Sequence, residues 1–334
     1  MMRSLLLTCA CVCSALAWGG VDEPSLPSIP TGLPEAVPAP TDNPATPEAY
    51  ALGEALFFST ELSVDRSVSC ASCHRPEAGF ASPEPLPAGA NGRRARRHAP
   101  ALFNRAWGES FLWDGRAASL EEQVLMPIED PDEMGLGLER AVERLGQDEQ
   151  LRALFERAYG SEPSVEGLAR ALATYVRYLF SGGTVVDAFR EGRFNALSPE
   201  ERGGMWVFES KGGCWRCHGG WNFTDEAFHN TGVGAVDGEP EPGRAAISGR
   251  EAEAGAFKTP TLRGLAHSAP YMHDGSLGTL EEVVEFYRRG GEPNRALDDQ
   301  MRPLELSDEE AQLLVAFLGA LSRPYEEPSA AEQD

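Results

Sequence analysis

Two copies of one pentapeptide constrain this chain more than anything else in it. They are Cys70-Ala71-Ser72-Cys73-His74 and Cys214-Trp215-Arg216-Cys217-His218. The C-x-x-C-H spacing lets each cysteine add across one vinyl group of a haem, and the adjacent histidine then reaches the iron as proximal ligand. A zinc site or a redox dithiol uses related spacings, but the cysteine count favours haem. Arg3, a short apolar run and Ala15-Leu16-Ala17 read as a secretory signal peptide over residues 1–17, cleaved after Ala17. The run is shorter than the roughly 20 apolar residues that a membrane span takes. Cleavage removes Cys9, Cys11 and Cys13, so seven cysteines become four, all within the two motifs. Lipoprotein processing at Cys11 is the weaker alternative. The reading is a periplasmic or otherwise exported chain without a transmembrane anchor. It has no cysteine left for disulfides and two bound cofactors to hold it together.

The formal charge of −23, from 29 basic and 52 acidic residues, argues against nucleic acid or an anionic membrane as partner. Residues 18–49 are rich in proline and lack apolar periodicity, and are expected to form a poorly ordered tether. Beyond them the signals are helical. Ser119/Glu122, Ser198/Glu201, Thr279/Glu282 and Ser307/Glu310 have the spacing of capping boxes, and Pro199 sits at a first helical position. Residues 164–180 and 307–321 are apolar-periodic over helical lengths. Strand signals are sparse. The expected fold is mostly α, with two cytochrome c-like helical domains, long loops and one covalent c-type haem each. The domains are residues 50–195 and 196–325, joined near 192–198, with a disordered tail at 326–334.

The order of motifs resembles the bacterial di-haem cytochrome c peroxidase family, and within it the MauG-like branch that includes the MbnH-type enzymes. The resemblance spans about residues 52–321. It rests on Leu56-Phe57-Phe58 before the first haem motif, Arg97-His98-Ala99-Pro100, Phe111-Leu112-Trp113-Asp114-Gly115-Arg116-Ala117 and Glu121-Glu122-Gln123. In the second half it rests on Lys258-Thr259-Pro260-Thr261-Leu262-Arg263 and on the block from Ala269 to Ser276 around His273-Asp274-Gly275.

The resemblance implies a division of labour. The N-terminal haem, on His74, meets peroxide; the C-terminal haem, on His218, is six-coordinate and handles electrons, with Trp113 between them. Glu133 and Gln123 fall on the distal residues of the first haem, and Pro127 on a pocket position. A carboxylate of raised pKa takes a proton from one peroxide oxygen and returns it to the other. Gln123 orients the peroxide or a water. The family also has a calcium site between the haems, whose side-chain position is His98 here and whose carbonyl positions are Ser268 and Pro270. Calcium prefers oxygen, so His98 puts that ion in question; a contact from His98 to a haem propionate is the other reading.

Two departures sharpen the assignment. Residues 78–97 contain no histidine where activation-dependent peroxidases carry a distal one, which implies an accessible first haem. Fourteen residues after His273, where the peroxidases have methionine, stands Tyr287, as in MauG-like enzymes. Leu280, Val283, Val284 and Tyr287 share one helical face. An iron-bound tyrosine oxygen is anionic and stabilises higher oxidation states; Met272 and Met301 are the rival ligands. The function implied is oxidation of an electron donor, including residues of a partner protein, by hydrogen peroxide through high-valent haems. The alternatives are an ordinary cytochrome c peroxidase fed by a small cytochrome or cupredoxin, and a plain di-haem electron carrier.

Overall fold

The computed structural model describes residues 24–327. The expected signal peptide, Cys9, Cys11 and Cys13, and the tail from residue 328 lie outside the described residues. Seven helices of nine or more residues make up the frame: α1 (Pro47–Phe58), α2 (Leu138–Gln147), α3 (Glu149–Tyr159), α4 (Val165–Arg177), α5 (Pro199–Glu209), α6 (Leu280–Arg288) and α7 (Asp308–Ala320). Strand content among the described residues is one antiparallel pair, β1 (Phe228–His229) with β2 (Phe257–Lys258), in which Phe228 faces Lys258. No described helix is long and apolar enough to cross a membrane.

Helix starts follow the local chemistry. Ser198, Thr279 and Ser307 each accept from the backbone N–H three residues on, and Glu201, Glu282 and Glu310 reach back to the capping residue's own N–H. Each exchange satisfies donors that a helix start leaves open. Ser119 departs from this. Its hydroxyl accepts from Glu122 N at 3.1 Å, but the Glu122 carboxylate accepts from Ala118 N instead, and only the four-residue helix Leu120–Gln123 follows.

Each half is built on one crossing of two helices, and a glycine permits each crossing. α1 packs on α4, and a Cβ added to Gly53 would lie 2.1 Å from the Ala171 carbonyl oxygen. α5 packs on α7, and a Cβ on Gly204 would lie 1.9 Å from the Leu313 carbonyl oxygen. Around the first crossing Leu52, Leu56, Leu168 and Leu172 are buried; around the second, Val207, Phe208, Leu314 and Phe317.

Two expectations are corrected. The cores divide between Leu179 and Val185, ahead of the expected joint at 192–198. Val185 and Val186 pack into the second core, and Asp187 beside them takes two hydrogen bonds from the buried Arg263, at 2.9 and 2.8 Å. Residues 24–46 are irregular but not a loose tether, and 47–49 already belong to α1. Thr31 O accepts from Gly183 N at 2.8 Å, and Gly32 O accepts from Arg263 Nη2 at 3.2 Å. The buried Asn43 donates to Glu121 Oε1 at 2.7 Å and to Arg170 O at 3.2 Å. Carbonyls and one side-chain amide of this segment bond to both halves, so it straps them together.

Candidate active site

One cavity of about 750 Å³ runs between the two halves, and every candidate residue named from the sequence lines it. Cys70 and Cys73 close a one-turn helix whose start is fixed by reciprocal bonds between Ser69 and Ser72, and His74 N bonds Cys70 O at 2.9 Å. The second motif does the same with a tighter turn, Cys214–Arg216, entered through Gly213 at φ 61°. His218 N bonds Cys214 O at 2.8 Å. His74 Nδ1 lies 3.0 and 3.1 Å from the carbonyls of Phe80 and Pro100, and His218 Nδ1 lies 3.0 Å from that of Phe223. A proton on Nδ1 satisfies these carbonyls and leaves Nε2 as the free lone pair, the tautomer an iron ligand needs. Burial pushes His74 down to about 4, which keeps the ring neutral. Burial likewise pushes the free thiols of Cys70, Cys73 and Cys214 up, to about 12, 11 and 11. Four thiols in two turns, two neutral imidazoles and a large, mainly apolar cavity are a donor set and a space that suit two haems.

Glu133, Gln123, Pro127 and Leu112 line the cavity, and the Glu133 carboxylate is near enough to Cys70 and Cys73 to help raise their thiols. Gln123 ends the short helix begun by Ser119, and Pro127 lies in the next turn, Met126–Glu129. Glu133 is held through its backbone: its N donates to Asp130 O at 3.0 Å and its O accepts from Ala90 N at 2.7 Å. A Cβ on Gly89 would lie 2.2 Å from Asp132 O, so the loop carrying Ala90 and Asn91 lies flush against this turn. Burial, and then the Asp130 carboxylate, raise the Glu133 pKa above the ordinary carboxylate value, against Arg116 and Arg96. A smaller cavity of about 290 Å³ shares Leu112, Arg116, Pro127, Asp130 and Glu133 with the large one. The two cavities adjoin at these residues.

Trp113 sits where the halves meet. Its Nε1 donates to His98 O at 2.8 Å, its carbonyl accepts from Lys258 N at 2.8 Å, and its ring lies 6.3 Å from that of His273. His98 N donates to His273 O at 2.8 Å, and His98 Nδ1 lies 3.2 Å from Glu84 O. Sequence reasoning gave no role to the groups around this contact. His273 stacks on Phe257 at 3.7 Å and meets Glu241 at 2.8 Å, which also takes Arg97 at 3.0 Å. Lys258 is buried beside Glu226 and Arg105, and burial lowers its pKa to about 7. Their signal was position: Arg97, Lys258 and His273 all lie in blocks that carried the family resemblance.

Tyr287, with Val283 and Val284 of α6, lines the same cavity. Burial, then the nearby Cys217 and Cys214, hold the Tyr287 hydroxyl well above the ordinary tyrosine value. Met272 and Met301 line the same cavity. His229 is clamped between Asp298 at 2.7 Å and Asp225 at 2.9 Å. With Cys217 and Asp225 it brings ligand-type atoms within 4.8 Å of one another. A thioether at Cys217 removes the thiolate from that trio, so it is not a metal site in a haem-bearing chain.

Comparison with known proteins agrees with this geometry. Residues 47–195 match the family model described as di-haem cytochrome c peroxidase. The methylamine utilization protein MauG of Methylorubrum extorquens is 43% identical over 299 residues, covering 89% of this chain and 84% of that protein. The cytochrome-c peroxidase IdrP2 of Denitromonas iodatirespirans is 36% identical, covering 83% of this chain and 84% of that protein. A crystal structure of a MauG-like protein associated with microbial copper homeostasis superposes with a TM-score of 0.80 at 29% identity, covering 92% of this chain and 96% of that one. A chain with two C-x-x-C-H turns on one cavity, and relatives of this extent, belongs to the di-haem cytochrome c peroxidase and MauG family and is a peroxidase-like di-haem oxidoreductase.

Proposed function

We propose that this chain is an exported oxidase of a donor, including side chains of a partner protein, and that its two haems do unequal work. Cys70 and Cys73, and Cys214 and Cys217, hold the haems as thioethers, with His74 and His218 as proximal ligands. When bound, the haems supply cleavage of the peroxide O–O bond and storage of the two oxidising equivalents. Peroxide enters past Leu112 and Met126. Glu133 would take a proton from one peroxide oxygen and return it to the other, and Gln123 would orient the molecule. Pro127 shapes the wall. Trp113, tied to both halves, carries electrons between the sites. Tyr287 closes the second site and excludes peroxide from it.

The observation that supports this reading most is the carboxyl of Glu133: half-buried, of raised pKa, lining the cavity beside Cys70 and Cys73. Calcium fits less well. His98 offers a ring nitrogen where the ion prefers oxygen, and its Nδ1 already faces Glu84 O. With Ser268 and Pro270 it is assigned no part in the reaction. An ordinary cytochrome c peroxidase, fed by a small redox protein, is the second reading, favoured by the relatives that carry that name; Tyr287 in place of a methionine favours the first. Stopped-flow mixing of the diferric protein with peroxide, for the native chain and Glu133→Gln, tests the assignment. Equal rates would remove Glu133 from it.

A further inference from the structure

A line of aromatic rings leads away from the first site by a route that does not use Trp113. Phe57 lines the cavity, and Tyr175 lies behind it with ring centroids 5.0 Å apart. Tyr175 to Tyr50 is 5.3 Å and Tyr50 to Tyr178 is 6.1 Å. Phe180 follows at 5.5 Å, then Trp107 at 5.9 Å and Trp221 at 5.1 Å. Tyr175 is buried, whereas Tyr50, Tyr178, Trp107 and Trp221 each keep part of their surface in water. The line therefore starts at the cavity wall, crosses from the first core to the loop after His218, and touches solvent at four oxidisable rings.

Five tyrosine and tryptophan rings in sequence, broken by a single phenylalanine, form a path on which each electron transfer is short. Tunnelling rates fall exponentially with distance, so several short steps outrun one long one. Burial first holds the hydroxyls of Tyr50 and Tyr175 protonated, with Glu54 adding to it at Tyr50, and Tyr50 and then Glu54 at Tyr175. Each then loses its proton together with its electron, and the exposed Glu54 carboxylate is the nearby acceptor.

We infer that this line is an exit for oxidising equivalents that find no donor, protecting the first site from its own oxidant. The inference rests on the proposed reaction with peroxide. Hydrogen peroxide takes up two electrons and two protons and leaves as two waters. In the absence of a donor the two electrons come from the line, beginning at Tyr175. Each withdrawal leaves a neutral tyrosyl radical and sends one proton by way of Glu54 to water. The radical moves outward as Tyr50, Tyr178 and the tryptophans refill it. It ends at a half-exposed ring, where a one-electron reductant of the ascorbate class restores it or two tyrosyl rings couple.

The test uses the full holoprotein and peroxide without donor, followed by freeze-quench EPR, optical decay and peptide mass mapping. In the native chain the oxidised state decays with an aromatic radical signal, and oxidation collects at Tyr50, Tyr178, Trp107 and Trp221. In Tyr175→Phe the decay slows several-fold, that signal falls, and the marks move to residues on the cavity wall such as Met134. Trp107→Phe, at the far end, loses the marks on Trp221 and keeps those on Tyr50. Tyr159→Phe, a tyrosine of the same half off the line, changes nothing. An oxidised state that forms but decays alike, with the same marks, in Tyr175→Phe and Trp107→Phe overturns the inference alone. Failure of any oxidised state to form in the native chain overturns it together with the proposed function.

Discussion

The two ends of the cavity hold their motifs in similar ways and are opposed by different walls. Each has a C-x-x-C-H turn closed by a bond from the histidine N–H to the first cysteine, and an imidazole anchored through Nδ1 to a backbone carbonyl. Each also rests on a helix crossing opened by a glycine. Near Cys70 and Cys73 stands a carboxylic acid, Glu133, with the Gln123 amide on the same cavity; near Cys214 and Cys217 stands a phenol, Tyr287 of α6. The turns are thus common to both ends, and under the proposed function the difference between the acid and the phenol is what makes the two ends unequal.

The largest expected effect breaks this contrast from the first side. Glu133→Gln lowers the rate of reaction with peroxide by about 10²–10⁴-fold, the range for losing a general acid–base group, and leaves the spectrum of the second haem unchanged in stopped-flow mixing. Next, Arg263→Ala leaves Asp187 charged and unpaired beside the second core. It costs about 3–5 kcal/mol of stability, and thermal unfolding followed at each haem band shows the second half giving way first. Tyr287→Met shifts the character of the second end. Its midpoint potential rises by on the order of 0.1 V, within the roughly 0.8 V that axial ligands span, while the first step with peroxide keeps its rate. Redox titration checks it.

The smallest effect concerns pH. Burial and Asp130 raise the Glu133 pKa, so the ionised base prevails only above that raised value, and the rate falls on acidification earlier than for an ordinary glutamate. Asp130→Asn removes a negative neighbour, lowers the Glu133 pKa and moves the acid limb of the pH–rate profile to lower pH.

Much of this contrast was legible in the sequence because its signals are local or rest on motif order. The haem turns need five adjacent residues, the capping boxes four, and Tyr287 is found by counting from His273. What was missed depends on contacts between distant residues. Gly32 meets Arg263 across 231 positions and Asn43 meets Glu121 across 78, so a proline-rich stretch without apolar periodicity looked like a tether. Val185 and Val186 carry no mark of which core they join; the Asp187–Arg263 pair that decides it spans 76 positions. The aromatic line is invisible for the same reason, since its members come from α1, α4 and three separate loops or turns.

The inequality of the two ends is tested most directly by the EPR and optical spectra of the purified diferric protein, before and after one equivalent of peroxide. The account predicts one high-spin, open haem and one low-spin haem at rest, both changing on addition of peroxide into an oxidised state that persists until a donor is supplied. Two low-spin haems that ignore peroxide would contradict it.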